Sequence, residues 1–135
     1  MQYKKNNDAK SVETMRDLAI YCCRWGLNLH ETGIPAVENA VKDEEVVAAM
    51  KKYGLSAPLL IAPYVGEYVS VNAYDSEDIP VCIPFFADMP LTALKGTLLD
   101  ILEDVVELHA VRLQIDSWEQ RVSDLEKIIN FKLKF

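Results

Sequence analysis

The stretch "LHAVRLQIDSWEQRVSDLEKII", residues 108–129, carries the strongest pattern in the chain and decides the fold. Its apolar residues recur at alternating spacings of three and four, which is the heptad pattern of a helix that packs along one narrow stripe. We call the seven residues of this stripe the seam: Leu108, Val111, Ile115, Trp118, Val122, Leu125 and Ile129. The pattern predicts a long amphipathic helix with an apolar side that needs a partner.

The residues beside the seam carry charges that suit a second copy of the chain. In a parallel, in-register pair of helices, Glu107 of one copy would lie near Arg112 of the other. Arg121 and Glu126 would meet in the same way, again with opposite signs. The flanking charges therefore favour self-association through the seam, and we predict a homo-oligomer.

The same helix extends upstream through a broad apolar stripe: Leu91, Leu94, Leu98, Ile101, Leu102 and Val105. Gly96 interrupts this stripe, so we expect a short first turn and then a longer helix capped by Thr97. No Gly or Pro lies between positions 97 and 135. A continuous helix over 97–129 would be roughly 50 Å long, longer than a domain of this size covers. The alternative is a break near Asp116 and Ser117, where "SWEQ" has the spacing of a capping box.

The last six residues, "NFKLKF" at 130–135, change the pattern from helical spacing to alternation. Phe131, Leu133 and Phe135 alternate with two lysines, and alternation of this kind is typical of a strand. We therefore predict a short C-terminal strand, which would join the sheet of its own chain or that of a neighbouring subunit.

A proline-rich β-hairpin is predicted at about 67–86. "EYVSVNAY" at 67–74 alternates polar and apolar residues, "DSED" reads as a turn, and "IPVCIPFF" at 79–86 returns. Pro80 and Pro84 both occupy even positions, so the second strand is expected to be an edge strand that pairs through its odd positions. Two strands alone are marginal, so the hairpin must pack on helices or find a third strand.

The N-terminal half is expected to be helical. One helix is predicted over 11–25, with Ser11 as its cap and Gly26 as its end. A second helical region begins at Pro35, and Asp43 is placed to cap a fresh segment, which leaves open whether 35–53 is one helix or two. The predicted fold is thus α+β and mostly helical, with residues 1–135 in a single domain. Within it we expect a flexible N-terminus at 1–10, helices and hairpin at 11–90, and the long helix and tail at 91–135.

Composition narrows the classes of partner. The chain has 14 Lys and Arg against 21 Asp and Glu, a net charge of −7, which disfavours binding to nucleic acid or to anionic membranes. No segment approaches eighteen uninterrupted apolar residues, and the polar first turns do not resemble a secretory signal. Three cysteines, two of them adjacent, do not form a disulfide framework. We predict a cytoplasmic protein with reduced thiols.

The stretch "YCCRWGLNLHE" at 21–31 gathers cysteines, a histidine and a glutamate, yet it does not predict a metal site. Zinc sites usually contain a short, two-residue-spaced pair of ligands, which is absent here. Cys22 belongs to an apolar helical stripe and Cys23 to its flank, so the two thiols should behave as small hydrophobic groups. The chain contains no phosphate-binding loop, nucleophile elbow or metalloprotease motif. No catalytic residue, metal or cofactor is predicted.

These observations lead to two hypotheses of function. The first is a non-enzymatic structural or interaction protein that self-associates through the seam, as a component of a larger assembly such as a virus particle or an adaptor complex. The alternative is a small-ligand-binding domain or an enzyme without a local motif. Its pocket would lie between the 58–90 segment and the helices. The residues expected to line that pocket are Tyr64, Tyr68, Tyr74 and Cys82.

Overall fold

The computed structural model describes residues 8–62 and 66–133. It confirms the predicted fold class, since it is a mostly helical α+β structure with a small antiparallel sheet and a long C-terminal helix. Short 3₁₀ helices lie at Leu29–Glu31 and Leu91–Ala93. The main elements are α1 (Met15–Trp25), α2 (Pro35–Val41), α3 (Glu44–Lys52), β1 (Ser56–Ile61), β2 (Tyr68–Tyr74), β3 (Pro80–Phe86) and α4 (Leu94–Leu133).

Helix α1 begins at Met15, and its cap is Thr14 rather than the predicted Ser11. The Thr14 hydroxyl accepts a hydrogen bond from the backbone N–H of Asp17, and the Asp17 carboxylate accepts one from the N–H of Thr14, both at 3.3 Å. This reciprocal capping box satisfies two amides at once, which explains why the helix starts there. The Ser11 hydroxyl instead donates to a backbone carbonyl one turn earlier. The predicted end at Gly26 is confirmed, with φ of 63°.

The segment 35–53 forms two helices, which settles the question that the sequence left open. Pro35 occupies the first turn of α2, and the helix ends at Val41. Asp43 then caps α3 as predicted, because its carboxylate accepts hydrogen bonds from the N–H groups of Glu45 at 2.9 Å and Val46 at 3.4 Å. The cap restarts the helix in a new direction.

The predicted hairpin is present as β2 and β3, which pair antiparallel in continuous register. At its open end the N–H of Ala87 donates to Glu67 at 2.8 Å, and at its turn the N–H of Asp75 donates to Ile79 at 3.0 Å. Hydrogen-bonded pairs alternate along an antiparallel ladder, so the odd positions of β3 carry the ladder. The prolines at 80 and 84 therefore leave no donor unsatisfied, and β3 is an edge strand as predicted.

The third strand of the sheet is β1 and not the C-terminal tail. Its order in the sheet is β1-β2-β3, and its pairing with β2 shifts register between Ser56 and Leu60. Residues 130–133 continue α4, so the predicted terminal strand is wrong there. No Gly or Pro stops the helix, and each further residue extends its hydrogen-bond ladder. Residues 134 and 135 lie outside the described residues, as do residues 1–7 of the predicted flexible N-terminus.

One face of the sheet and the helices share a hydrophobic core. The odd positions of both hairpin strands point inward, while the even positions face outward, as the alternation predicts. From α4 only the first third contributes fully buried residues. The buried residues of the hairpin and of α4 are Val69, Val71, Ala73, Val81, Ile83, Phe85, Leu94, Leu98, Leu102 and Val105.

Helix α4 begins at Leu94, three residues before the predicted start, and Gly96 lies inside it. Thr97 does not cap the helix, because its hydroxyl donates to the Met89 sulfur at 3.4 Å. The Lys95 ammonium group reaches Asp43 at 2.9 Å and ties the first turn of α4 to the start of α3. The helix passes through 116 and 117 without a break, so continuity is confirmed. Its 40 residues span about 60 Å at ~1.5 Å per residue.

Candidate interaction surface

Helix α4 leaves the rest of the molecule after its first third. Val105 is the last of its buried residues, at 8% exposure. From residue 110 to 133 every side chain is exposed except Ser123 and Asp124, which are half-buried. We call residues 8–62 and 66–107 the globular part and residues 108–133 the projecting segment. The projecting segment is roughly 39 Å long at ~1.5 Å per residue.

A polar contact fixes the point at which the helix leaves the globular part. His109 Nε2 lies 2.9 Å from Asp75 Oδ2, in the turn between β2 and β3. The other oxygen of Asp75 accepts hydrogen bonds from the N–H groups of Glu77 at 2.8 Å and Ile79 at 2.9 Å. These bonds, that from His109 above all, hold the pKa of Asp75 below its usual value. One carboxylate therefore organises the turn and joins it to α4.

All seven seam residues lie on the projecting segment and are exposed. Their exposure runs from 41% for Leu125 to 69% for Trp118. Of the sixteen exposed large hydrophobic residues among the described positions, eleven lie on the projecting segment. Monomeric proteins rarely expose a continuous apolar stripe of this length, and such stripes usually mark an interaction site.

The seam lies on a different side of α4 from the one that packs on the core. Helix α4 packs on the core through the side formed by Leu94, Leu98 and Val105, and His109 continues that side. At 3.6 residues per turn, the seam as a whole is rotated about a third of a turn from this packed side. A partner helix could therefore lie along the seam without meeting the globular part of the same chain.

The projecting segment exposes four further apolar residues that the heptad analysis did not include. Ile128 and Leu133 flank the seam at its C-terminal end, while Leu113 and Phe131 lie outside it. Ile128 could have been identified from its position next to Ile129. Leu133 could not have been identified in this way, because the alternation of the tail predicts a strand there.

Three of the predicted pocket residues do not lie between the sheet and the helices. Tyr68, Tyr74 and Cys82 occupy even positions, on the outer face of the sheet. The Tyr68 ring stacks on Phe86 with centroids 5.1 Å apart, and the Cys82 sulfur lies 3.5 Å from the Ser70 hydroxyl. Tyr64 lies outside the described residues. The structure thus brings these three residues onto the outer surface of the sheet.

An open cavity of about 170 Å³ lies elsewhere, between α3 and the start of β1. Met50, Leu55 and Ala57 make its wall mostly apolar, and His30 is beside them. Nδ1 of His30 is buried without a hydrogen-bond partner. Burial also lowers the pKa of His30. The sequence does not indicate this cavity, since its wall combines residues of α3 and β1 with His30 and Val41 from earlier segments.

The adjacent cysteines have different environments. Cys22 is buried in the core, and burial raises the pKa of its thiol to about 12. Cys23 is exposed, so the interpretation of both thiols as buried hydrophobic groups is wrong for this one. Helical geometry explains the difference, because neighbours point ~100° apart and only one of them faces the core. Within 8–62 and 66–133, no group of three or more His, Cys, Asp or Glu is placed to hold a metal ion.

No protein-family model, curated protein or solved structure matches the chain. Among the described residues, no helix combines the length and the apolar character needed to cross a bilayer.

Proposed function

We propose that the protein is a non-enzymatic structural or interaction protein that self-associates through the seam. The observation that carries this proposal is the exposure of all seven seam residues on a helix that extends beyond the core. In proteins most of the stability of a helix comes from packing of its apolar side rather than from intrinsic helix propensity. The seam therefore fits a role in association better than a role in the chain's own core.

The partner that the seam fits best is a second copy of the chain. The residues that flank it alternate in sign at the spacing of paired helices, as between Glu107 and Arg112. A second copy of the chain supplies the complementary charge at the matching position along the helix, so no other protein is required. The net charge of −7 gives no reason to propose nucleic acid or an anionic membrane instead.

We further propose that the oligomer belongs to a larger cytoplasmic assembly, such as a virus particle or an adaptor complex. Two of the three cysteines are exposed and none is paired, which suits a reducing compartment. The outer face of the sheet presents Tyr68, Phe86 and Leu60, all exposed. This face is a second apolar surface, and it remains available to another subunit of the assembly when the seam is occupied.

The test places charge at the middle of the seam. Ile115→Asp with Val122→Asp would bury two unpaired carboxylates in the interface. The matched control is Ser117→Asp with Gln120→Asp, which adds the same charge on the opposite side of the same helix, where both residues are exposed. Sedimentation equilibrium measures the association constant of each variant, and far-UV circular dichroism reports the folding of the globular part.

We expect the seam variant to weaken association on the order of 100-fold or more, equivalent to about 3 kcal/mol. The control variant should associate within about threefold of the wild type, since both positions are exposed and lie off the seam, and it removes only the exposed hydrogen bond from Gln120 to Asp124. Equal loss of association in both variants would point to net charge rather than the seam. Unfolding of the globular part by the seam variant would show that the seam packs within one chain.

The alternative, a ligand-binding domain or an enzyme, has less support. Tyr68, Tyr74 and Cys82 lie on the outer face of the sheet, and the cavity beside His30 contains none of them. The apolar wall of that cavity and the unpaired Nδ1 of His30 are the observations that favour a small ligand. A ligand that protects Met50 or Leu55 from hydrogen exchange would support this alternative.

A further inference from the structure

We infer that the two copies pair as parallel, in-register helices, with both globular parts at one end of the pair. This inference rests on the proposed self-association and specifies its geometry. It draws on the pairs of residues that each arrangement of two α4 helices would bring together. The seam residues alone do not decide the orientation, because either direction would bury them.

In the parallel arrangement, pairs form beside the seam between the two copies. The residue just before Leu108, Ile115, Val122 or Ile129 meets the residue five places later in the other copy. Four such pairs fall on the projecting segment or at its start. The first and third pairs are opposite in charge, the second is neutral, and the fourth is apolar. They are Glu107 with Arg112, Gln114 with Glu119, Arg121 with Glu126, and Ile128 with Leu133.

The fourth pair is a consequence of the structure. It exists only because α4 remains helical to Leu133, where a strand was expected. Ile128 and Leu133 are both exposed. In the parallel arrangement, Ile128 of one copy packs against Leu133 of the other at the C-terminal end of the seam. The exposed apolar surface beside Ile129 is thus accounted for without a different partner.

Antiparallel pairing fits less well in the two registers that overlap most of the seam. In one of them, Glu119 meets Glu119 of the other copy and Arg121 meets Arg121 across the twofold axis, which places like charges together. In the other, shifted by one heptad, Ile129 falls opposite Asp104, an exposed carboxylate. From Leu108 to Ile129 the parallel arrangement has neither conflict, and it brings like charges together only beyond the seam, where Lys132 meets Lys132.

The position of the globular part also permits the parallel arrangement. The side of α4 that packs on the core lies about a third of a turn from the average direction of the seam. In a parallel pair, twofold symmetry then places the two globular parts on opposite sides of the helix pair. β-branched residues at Ile115, Val122 and Ile129, with Leu125 at the alternate position, are typical of two-stranded pairs.

Disulfide trapping tests the orientation. Lys132 occupies the seam position that follows Ile129 in the heptad, so a parallel pair places residue 132 against residue 132 of the other copy. The variant Lys132→Cys is made with Cys23→Ser and Cys82→Ser, which remove the two exposed thiols. Lys127→Cys in the same background is the matched control, because it points away from the seam. Cross-linking is followed in a glutathione redox buffer, and sedimentation under reducing conditions measures association of the same samples.

The parallel arrangement predicts that Lys132→Cys cross-links at least ~10-fold faster than Lys127→Cys, because the two sulfurs are held within disulfide distance. The antiparallel registers predict instead that a mixture of Leu108→Cys with Lys132→Cys or with Leu125→Cys cross-links fastest. That result, with dimers under reducing conditions, would overturn the orientation and leave self-association standing. Monomers under reducing conditions, with the unsubstituted chain also monomeric, would overturn the proposed function itself.

Discussion

His109 on α4 and Asp75 in the β2–β3 turn lie 2.9 Å apart, and this contact joins the edge of the sheet to the base of the projecting segment. The same Asp75 carboxylate accepts two backbone hydrogen bonds from its own turn. Neither residue is conspicuous in the sequence. Together they determine where the long helix separates from the globular part, and so where the seam begins.

Replacing His109 should raise the pKa of Asp75 and make stability less sensitive to acid. A carboxyl with a depressed folded pKa stabilises the fold above its unfolded pKa of about 3.9, and this contribution is lost as pH falls through the folded value. In His109→Ala the pKa of Asp75 should move upward, toward its ordinary value. NMR titration of the Asp75 side chain measures it.

The control for this variant is His109→Gln, which retains a hydrogen-bond donor at a similar distance from the backbone. Wild type should be more stable than His109→Ala near neutral pH, and the gap should shrink below about pH 3.9. A gap that does not shrink as the pH falls through about 3.9 and below would show that Asp75 does not stabilise the fold through its ionised form.

The three cysteines should differ sharply in reactivity. Cys22 is buried with a thiol pKa of about 12, so iodoacetamide should leave it unlabelled in the native protein at neutral pH. Cys23 and Cys82 are exposed and should be labelled readily. Peptide mass spectrometry of protein labelled before and after unfolding measures all three. Rapid native labelling of Cys22 would contradict its position in the core.

Truncating Cys22 should cost stability, whereas truncating Cys23 should not. Cys22→Ala leaves a small void in the core and should lower the free energy of unfolding by about 1 to 2 kcal/mol. Cys23→Ala is the matched control on the next residue, and it should change stability by less than about 0.5 kcal/mol. Urea denaturation measures both, and equal effects would contradict the difference in burial.

Strand β3 should show alternating hydrogen exchange. Its odd positions carry the ladder to β2, so the N–H groups of Val81 and Ile83 should exchange slowly. The N–H of Cys82 points to the open edge and should exchange fast. NMR-detected exchange resolves the three amides. Slow exchange at Cys82 would indicate that the open edge of β3 is covered by another strand.

The projecting segment should gain helix when the chains associate. Residues 110–133 make few contacts with the globular part, so in a monomer this segment should fray. The circular dichroism signal at 222 nm should therefore increase with protein concentration over the range in which mass increases. Ile115→Asp with Val122→Asp should abolish this dependence, and a signal independent of concentration in the wild type would contradict coupled folding.

Periodicity made α4 and the hairpin predictable. The heptad spacing and the absence of Gly and Pro identify a continuous helix, and the even-numbered prolines identify an edge strand. These are local signals that a single segment carries by itself. The seam residues could be named for the same reason, although the sequence does not say that they remain exposed in one chain.

The elements that the sequence misassigned depend on competition between segments. The tail alternates like a strand, but the sheet takes β1 as its third strand, and α4 simply continues. β1 contains Pro58 and lacks alternation of polar and apolar residues, so its sequence does not indicate a strand. Likewise the His109–Asp75 contact joins positions 34 residues apart, and no local pattern marks such a pair.

The central claim is tested most directly by the molar mass of the unmodified chain in solution across a dilution series. A seam that joins two copies predicts a mass of twice 15.3 kDa at micromolar concentration, falling toward 15.3 kDa as the sample is diluted. Sedimentation equilibrium measures this mass without assumptions about shape. A mass of 15.3 kDa throughout the micromolar range would contradict self-association through the seam.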